Sequence, residues 1–110
     1  MKTRKLLFTM VTFLIAGTMV FAQEMKTEKF KVYGNCGMCE NRIEKAALGL
    51  DGVTKADWDK DTEMLEVAFV EEKVNVDDIH QAVAEAAHDT DKVKAVDEVY
   101  QALPACCLYR

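Results

Sequence analysis

Four cysteines stand out in this 110-residue chain: Cys36, Cys39, Cys106 and Cys107. The first two lie in Gly34-Asn35-Cys36-Gly37-Met38-Cys39, a C-x-x-C between an alternating segment and a helical one. Two thiols at that spacing converge on one point, because the loop residue and the first-turn residue turn toward the same side. The start of a helix also supplies partial positive charge and free N–H groups, which favour thiolate over thiol. Gly34 and Gly37 are expected to let the backbone make this tight approach. Two soft thiolates suit a soft cation that accepts low coordination: Cu(I) first, then Hg(II) and Ag(I), and less well Zn(II) or Cd(II). The pair also fits two other chemistries. A Cys36–Cys39 disulfide closes a very short loop and stabilises little. A thiol–disulfide exchange protein uses the same C-x-x-C at a helix start. A thioredoxin-like arrangement, however, needs a strand and a helix ahead of the cysteines and a proline facing them, and Pro104 is the one proline here.

The hydrophobic period identifies the elements that must position these thiols. Phe30 and Val32 alternate with Lys29, Lys31 and Tyr33, a strand ending at Gly34. From Cys39 the pattern turns helical, with Ile43, Ala46, Ala47 and Leu50 on one face. Val53, Ala56 and Trp58 form a second strand, Asp59-Lys60-Asp61 a polar turn, and Leu65, Val67 and Phe69 a third strand that completes a hairpin. Asn75 caps a second helix, with Asp78 in the capping-box position and Ile79, Ala82, Val83, Ala86 and Ala87 as its buried stripe. The order β-α-β-β-α lacks only a closing strand to give the split βαβ arrangement, an α+β fold with an antiparallel sheet and two helices on one face. Two segments compete for that strand. One is Lys92 to Val96. The other, preferred, makes Val93, Val96, Tyr100 and Leu103 a helical stripe stopped by Pro104, so that Cys106 to Tyr109 closes the sheet.

That placement brings the second cysteine pair to the first. A closing strand antiparallel to the first begins at the C-x-x-C end, within one strand spacing of about 5 Å. Neighbouring strand residues face opposite sides, so at most one of Cys106 and Cys107 points at a bound ion, as a third or relay ligand. The competing roles are a hydrophobic sheet cysteine beside a spare thiol, or a disulfide formed when metal is absent. His88 is a further candidate ligand, in the loop that approaches Cys36 and Cys39, unless it is solvated or bound to Asp89. His80 is expected on the polar side of its helix, and Trp58 in or beside the core. Asp57, Asp59, Asp61 and Glu63 are rich in oxygen but lack the glycine and terminal glutamate of a calcium loop, so they read as a solvated turn. No Ser-His-Asp set, paired-carboxylate cleft or phosphate loop is present, and no enzyme activity is expected.

Composition sets the wider frame. The chain is 50% hydrophobic and 30% charged, enough for one folded domain. Lys2, Arg4 and Lys5 precede an apolar run from Leu6 to Ala22 that ends in Val20-Phe21-Ala22. This is the pattern of a secretory signal cleaved after Ala22, making residues 1–22 a leader, and it places the remainder in the periplasm or outside the cell. As an uncleaved anchor the run sits at the lower length limit and contains Thr9, Thr12 and Thr18. The net charge is −5; without the leader, 11 basic residues face 19 acidic ones, a net of −8. Such a surface repels phosphate backbones, so nucleic acid is not an expected partner.

The strand, Gly34-Asn35-Cys36-Gly37-Met38-Cys39, the following Arg42-Ile43-Glu44-Lys45-Ala46 and the β-α-β-β-α order resemble the heavy-metal-associated domain. That family includes copper chaperones, the N-terminal modules of copper-transporting ATPases and periplasmic mercury-binding proteins. The resemblance spans about Glu28 to Asp89. It implies a ferredoxin-like fold, Cys36 and Cys39 as metal ligands, and a metal-transporting membrane protein or another thiol-bearing acceptor as partner. The domain division is then leader 1–22, metal-binding core 23–89, and a C-terminal helix and closing strand in 90–110. The chain departs from the family in three ways. Gly34 stands where a methionine usually packs under the loop, with Met38 between the cysteines instead; Ala87-His88-Asp89 replaces a Gly followed by Tyr or Phe; and the last 20 residues exceed the usual domain.

Overall fold

Residues 24–110 are described by a computed structural model of the chain; the leader read at 1–22 lies outside them. The elements run β1 (Met25–Lys31), α1 (Gly37–Leu48), β2 (Val53–Trp58), β3 (Met64–Val70), α2 (Val76–Glu85), α3 (Asp97–Gln101) and a 3₁₀ turn at Ala105–Cys107. β1 and β2 both pair antiparallel with β3, giving the sheet order β1-β3-β2. Along β3 the expected alternation holds: Leu65, Val67 and Phe69 are buried, while Glu66 and Ala68 are half-exposed. Ile43 and Ala47 of α1 and Ile79 and Val83 of α2 are fully buried in the same core as these sheet residues. Each buried Val, Leu, Ile or Phe side chain among these contributes about 1.5–3 kcal/mol on burial. Both halves of the capping box start α2: Asn75 Oδ1 accepts from the Asp78 N–H at 2.9 Å, and Asp78 Oδ2 from the Asn75 N–H at 3.3 Å. The architecture is the α+β, ferredoxin-like one.

The closing strand is not where the periodicity put it. Its place beside β1 is taken by residues 89–91, reduced to a single bridge between Val32 and Thr90. The Tyr33 N–H donates to the Asp89 carbonyl at 2.9 Å and the Asp91 N–H to the Lys31 carbonyl at 3.2 Å. Side chains then turn the backbone away from the sheet. Thr90 Oγ1 accepts from the N–H groups of Lys92 and Val93, and Asp89 Oδ1 accepts from the Ala95 N–H at 2.7 Å. These local bonds supply the partners a longer ladder would have given. Val93 is therefore in a loop and Val96 is 66% exposed, so the expected stripe contracts to α3, with only Tyr100 and Leu103 buried. Cys106 to Tyr109 forms no strand. His80 also departs from expectation: it is buried, stacked on Phe30 with ring centroids 3.8 Å apart, and its Nδ1 lies 2.7 Å from Thr90 Oγ1.

α2 ends in a Schellman motif, with the His88 N–H donating to the Val83 carbonyl and the Ala87 N–H to the Ala84 carbonyl. The left-handed residue there is Ala87, φ 82°, where glycine is usual. This turn feeds the 89–91 bridge and the anchor for the last residues. The Tyr109 hydroxyl donates to the Ala87 carbonyl and accepts from the Asp89 N–H, both at 2.7 Å. Arg110 Nη2 reaches Asp89 Oδ1 at 2.8 Å and the Ala95 carbonyl at 2.7 Å, and Nη1 reaches Asp97 at 2.8 Å.

The other support lies under the C-x-x-C loop. Trp58 is 1% exposed and its indole N–H donates to the Val32 carbonyl at 2.9 Å. Its ring occupies the space beneath Gly34, where a Cβ would stand 3.0 Å from Trp58 Cη2 and 3.0 Å from Cys39 Cβ. Gly34 is thus required by a close approach. Gly37, in contrast, has open space where a Cβ would go and makes no such approach.

Two outcomes follow from these supports. Gly34→Ala should cost about 1–3 kcal/mol by overpacking. Trp58→Phe, which removes the crowding ring atoms, should make the double variant less destabilised than the sum of the single ones in urea unfolding. Arg110→Ala should cost about 1–3 kcal/mol at neutral pH, because it strips charged hydrogen bonds from a largely buried carboxylate. Burial pushes the Asp89 carboxyl up, but Arg110 and the Ala95 N–H outweigh it and hold it below the usual range. A carboxyl held low contributes above its unfolded pKa of about 3.9 and loses that contribution as pH falls through the folded value. The gap between wild type and Arg110→Ala should therefore close in acid, as read from thermal unfolding across pH.

Candidate metal centre

Cys36 is the N-cap of α1, with extended backbone at φ −145° and ψ 177°, and Cys39 lies in the first turn. This change from extended to helical backbone brings Cys36 Sγ to 3.5 Å from Cys39 Sγ. Cys39 is fully buried against the core, and its sulfur accepts from the Asn35 N–H at 3.4 Å. Cys36 is partly exposed. The Cys39 backbone N–H faces the Cys36 sulfur and, against a smaller opposing effect of burial, holds this thiol down at about 7. Cys36 therefore ionises more readily than an ordinary cysteine.

The second cysteine pair also reaches this point, in a way strand geometry does not allow. Cys107 Sγ lies 3.9 Å from Cys36 Sγ and 3.9 Å from Cys106 Sγ. The sulfurs of Cys36, Cys106 and Cys107 all fall within 4.8 Å of one another. A strand would have turned one of the adjacent thiols away; the 3₁₀ turn at Ala105–Cys107 lets both face the loop. Cys107 is fully buried, and burial pushes its thiol far up, which favours the protonated form. Cys106 is exposed, with its sulfur 3.8 Å from Met38 Sδ. Met38 is therefore at the rim of the site; Trp58 is the residue packed beneath the loop. All four cysteines are free thiols.

His88 stands outside this group. It is fully buried, stacked on Tyr109 at 5.4 Å between ring centroids, and its Nδ1 donates to the Tyr33 carbonyl at 2.8 Å. Its Nε2 is buried without a hydrogen-bond partner, and burial lowers its pKa. The ring thus ties the end of β1 to the end of α2. Several positioning residues escaped sequence reading. Glu63 is in the left-handed region, φ 59°, and its carboxylate accepts from the Gly34 N–H at 3.3 Å. Asn35 Nδ2 donates to the Leu108 carbonyl at 2.8 Å, fastening the loop to the last residues. Glu63 had been visible only as one acid in a run, and Asn35 only as a loop residue; neither carries a local signal for such distant partners. The donor set is sulfur alone, two buried and two accessible, which fits a thiophilic ion and disfavours a hard one.

Comparison with known proteins agrees with this geometry. The pattern of the heavy-metal-associated domain matches residues 31–89, more than half of the chain. The copper chaperone CopZ of Staphylococcus aureus is 32% identical over 66 residues, 59% of this chain and 97% of the relative. Oxidized MerP from Ralstonia metallidurans superposes with a TM-score of 0.59 at 28% identity, over 62% of this chain and 96% of that one. The N-terminal domain of a potential copper-translocating P-type ATPase from Bacillus subtilis, in its Cu(I)-loaded state, gives 0.58 at 26% identity, over 61% and 85%. The chain belongs to the heavy-metal-associated domain family.

Proposed function

We propose that this protein carries a soft metal ion, Cu(I) before Hg(II), Ag(I) or Zn(II), on Cys36 and Cys39, and passes it on by ligand exchange. The observation that carries this reading is the pair of sulfurs 3.5 Å apart at the start of α1, one accessible and one buried. Two thiolates bind tightly yet leave the ion open to a third. An acceptor thiolate adds to the ion first, giving a shared three-coordinate intermediate, and the accessible Cys36 leaves before the buried Cys39. No bond to carbon is made or broken and no electrons move. The acceptor is a thiol-bearing protein, a metal-transporting membrane protein above all. The kinship with a copper chaperone and with an ATPase metal-binding domain supports this choice. The leader read at 1–22 supports action in the periplasm or outside the cell, on metal trafficking or detoxification. Among the described residues no helix is long and apolar enough to cross a membrane.

The rival use of the same cysteines is thiol–disulfide exchange, favoured by the lowered pKa of Cys36 beside Cys39. Reduced protein, titrated anaerobically with Cu(I) against a competing chelator, should take up the ion, and Cys36→Ser/Cys39→Ser should take up none under the same competition. Uptake no better than in that double variant would overturn the reading. Insulin reduction that persists with metal chelated would assign the pair to exchange instead.

A further inference from the structure

The sulfur chemistry of this site extends past the C-x-x-C pair. We infer that the chain holds two Cu(I) ions in one thiolate-bridged cluster, the second on Cys36, Cys106 and Cys107, with Cys36 shared. This rests on the metal-carrying reading above and specifies its capacity.

Metal–sulfur bonds of about 2.3 Å set the sulfur–sulfur edges of each geometry: roughly 4.0 Å in a trigonal site and at most about 4.6 Å across a linear one. Cys36–Cys107 and Cys106–Cys107, each 3.9 Å, match the trigonal edge. The third edge closes the triangle within 4.8 Å. Cys39 lies outside that group, so no single ion reaches all four sulfurs where they stand. The arrangement is a chain of sulfurs, Cys39 to Cys36 to Cys107 to Cys106, with Met38 Sδ 3.8 Å beyond. One ion on Cys36 and Cys39 leaves two thiols unused within bonding range of Cys36. A thiolate has lone pairs enough to bridge two soft ions, and four thiolates more than balance their charge.

The triangle is built into the fold. Cys107 is fully buried among core residues. The turn that carries it is fixed by Asn35 to Leu108, Tyr109 to Ala87 and Arg110 to Asp89. These contacts hold the second pair against the loop with no ion present, so a second ion meets ligands already placed.

The test is stoichiometry on the reduced chain with Cu(I) as probe. Native mass spectrometry and chelator competition should show two ions per chain, and X-ray absorption should show a short copper–copper distance. Cys106→Ser, an exposed position whose change should not disturb folding, should bind one ion and lose the copper–copper signal. Cys107→Ser should do the same, with circular dichroism to confirm its fold. Saturation of the wild type at one ion, or two ions retained in Cys106→Ser, would overturn the inference. If that one ion were lost in Cys36→Ser/Cys39→Ser, the carrier reading would stand without it. No uptake in any form would remove both.

Discussion

The indole of Trp58 packs beneath the loop that carries Cys36 and Cys39, and the placement of both sulfurs depends on that contact. Its N–H satisfies the carbonyl of Val32 at the end of β1, and its ring fills the space that a side chain at Gly34 would need. The backbone N–H of Trp58 is itself held by Glu44 of α1 at 2.9 Å, so strand, helix and loop are joined through one residue. The indole is rigid and polar at one point only, so it fixes position without restricting access to Cys36 from solvent.

Exposure then grades the sulfurs. Cys39 and Cys107 are buried, Cys36 is partly exposed and Cys106 is exposed. Buried ligands exchange slowly because an incoming group must displace packed neighbours; accessible ones exchange quickly. For the proposed carriage, grading of this kind would retain an ion against water yet yield it to a partner thiol.

The match to the family ends at residue 89, short of the last segment of the chain. That segment does not finish the sheet. Thr90 and Asp89 spend their side chains on local backbone N–H groups, the ladder stops at one bridge, and the remaining residues fold back onto the loop. An extension that fails to become a strand is thereby free to deliver two adjacent thiols to one place.

Much of this could be read along the chain. Alternation located β3 and the end of β1, the capping box located α2, and the C-x-x-C with its flanking glycine marked the thiol pair at the start of α1, because each is a signal carried within one element. The α1 start was legible to within two residues, and Trp58 as core. The stripe from Val93 to Leu103 misled, since periodicity cannot report that Thr90 and Asp89 divert the backbone first. The burial of His80 was hidden for a similar reason: its partners, Phe30 and Thr90, belong to other segments. By itself, then, the sequence determined the fold class and the thiol pair, which depend on local spacing and residue chemistry. Only the tertiary structure decided that Trp58 replaces a side chain under the loop, that His88 ties β1 to α2, and that both tail thiols face Cys36. Those outcomes turn on contacts between residues far apart along the chain, and no local pattern encodes which of them will meet.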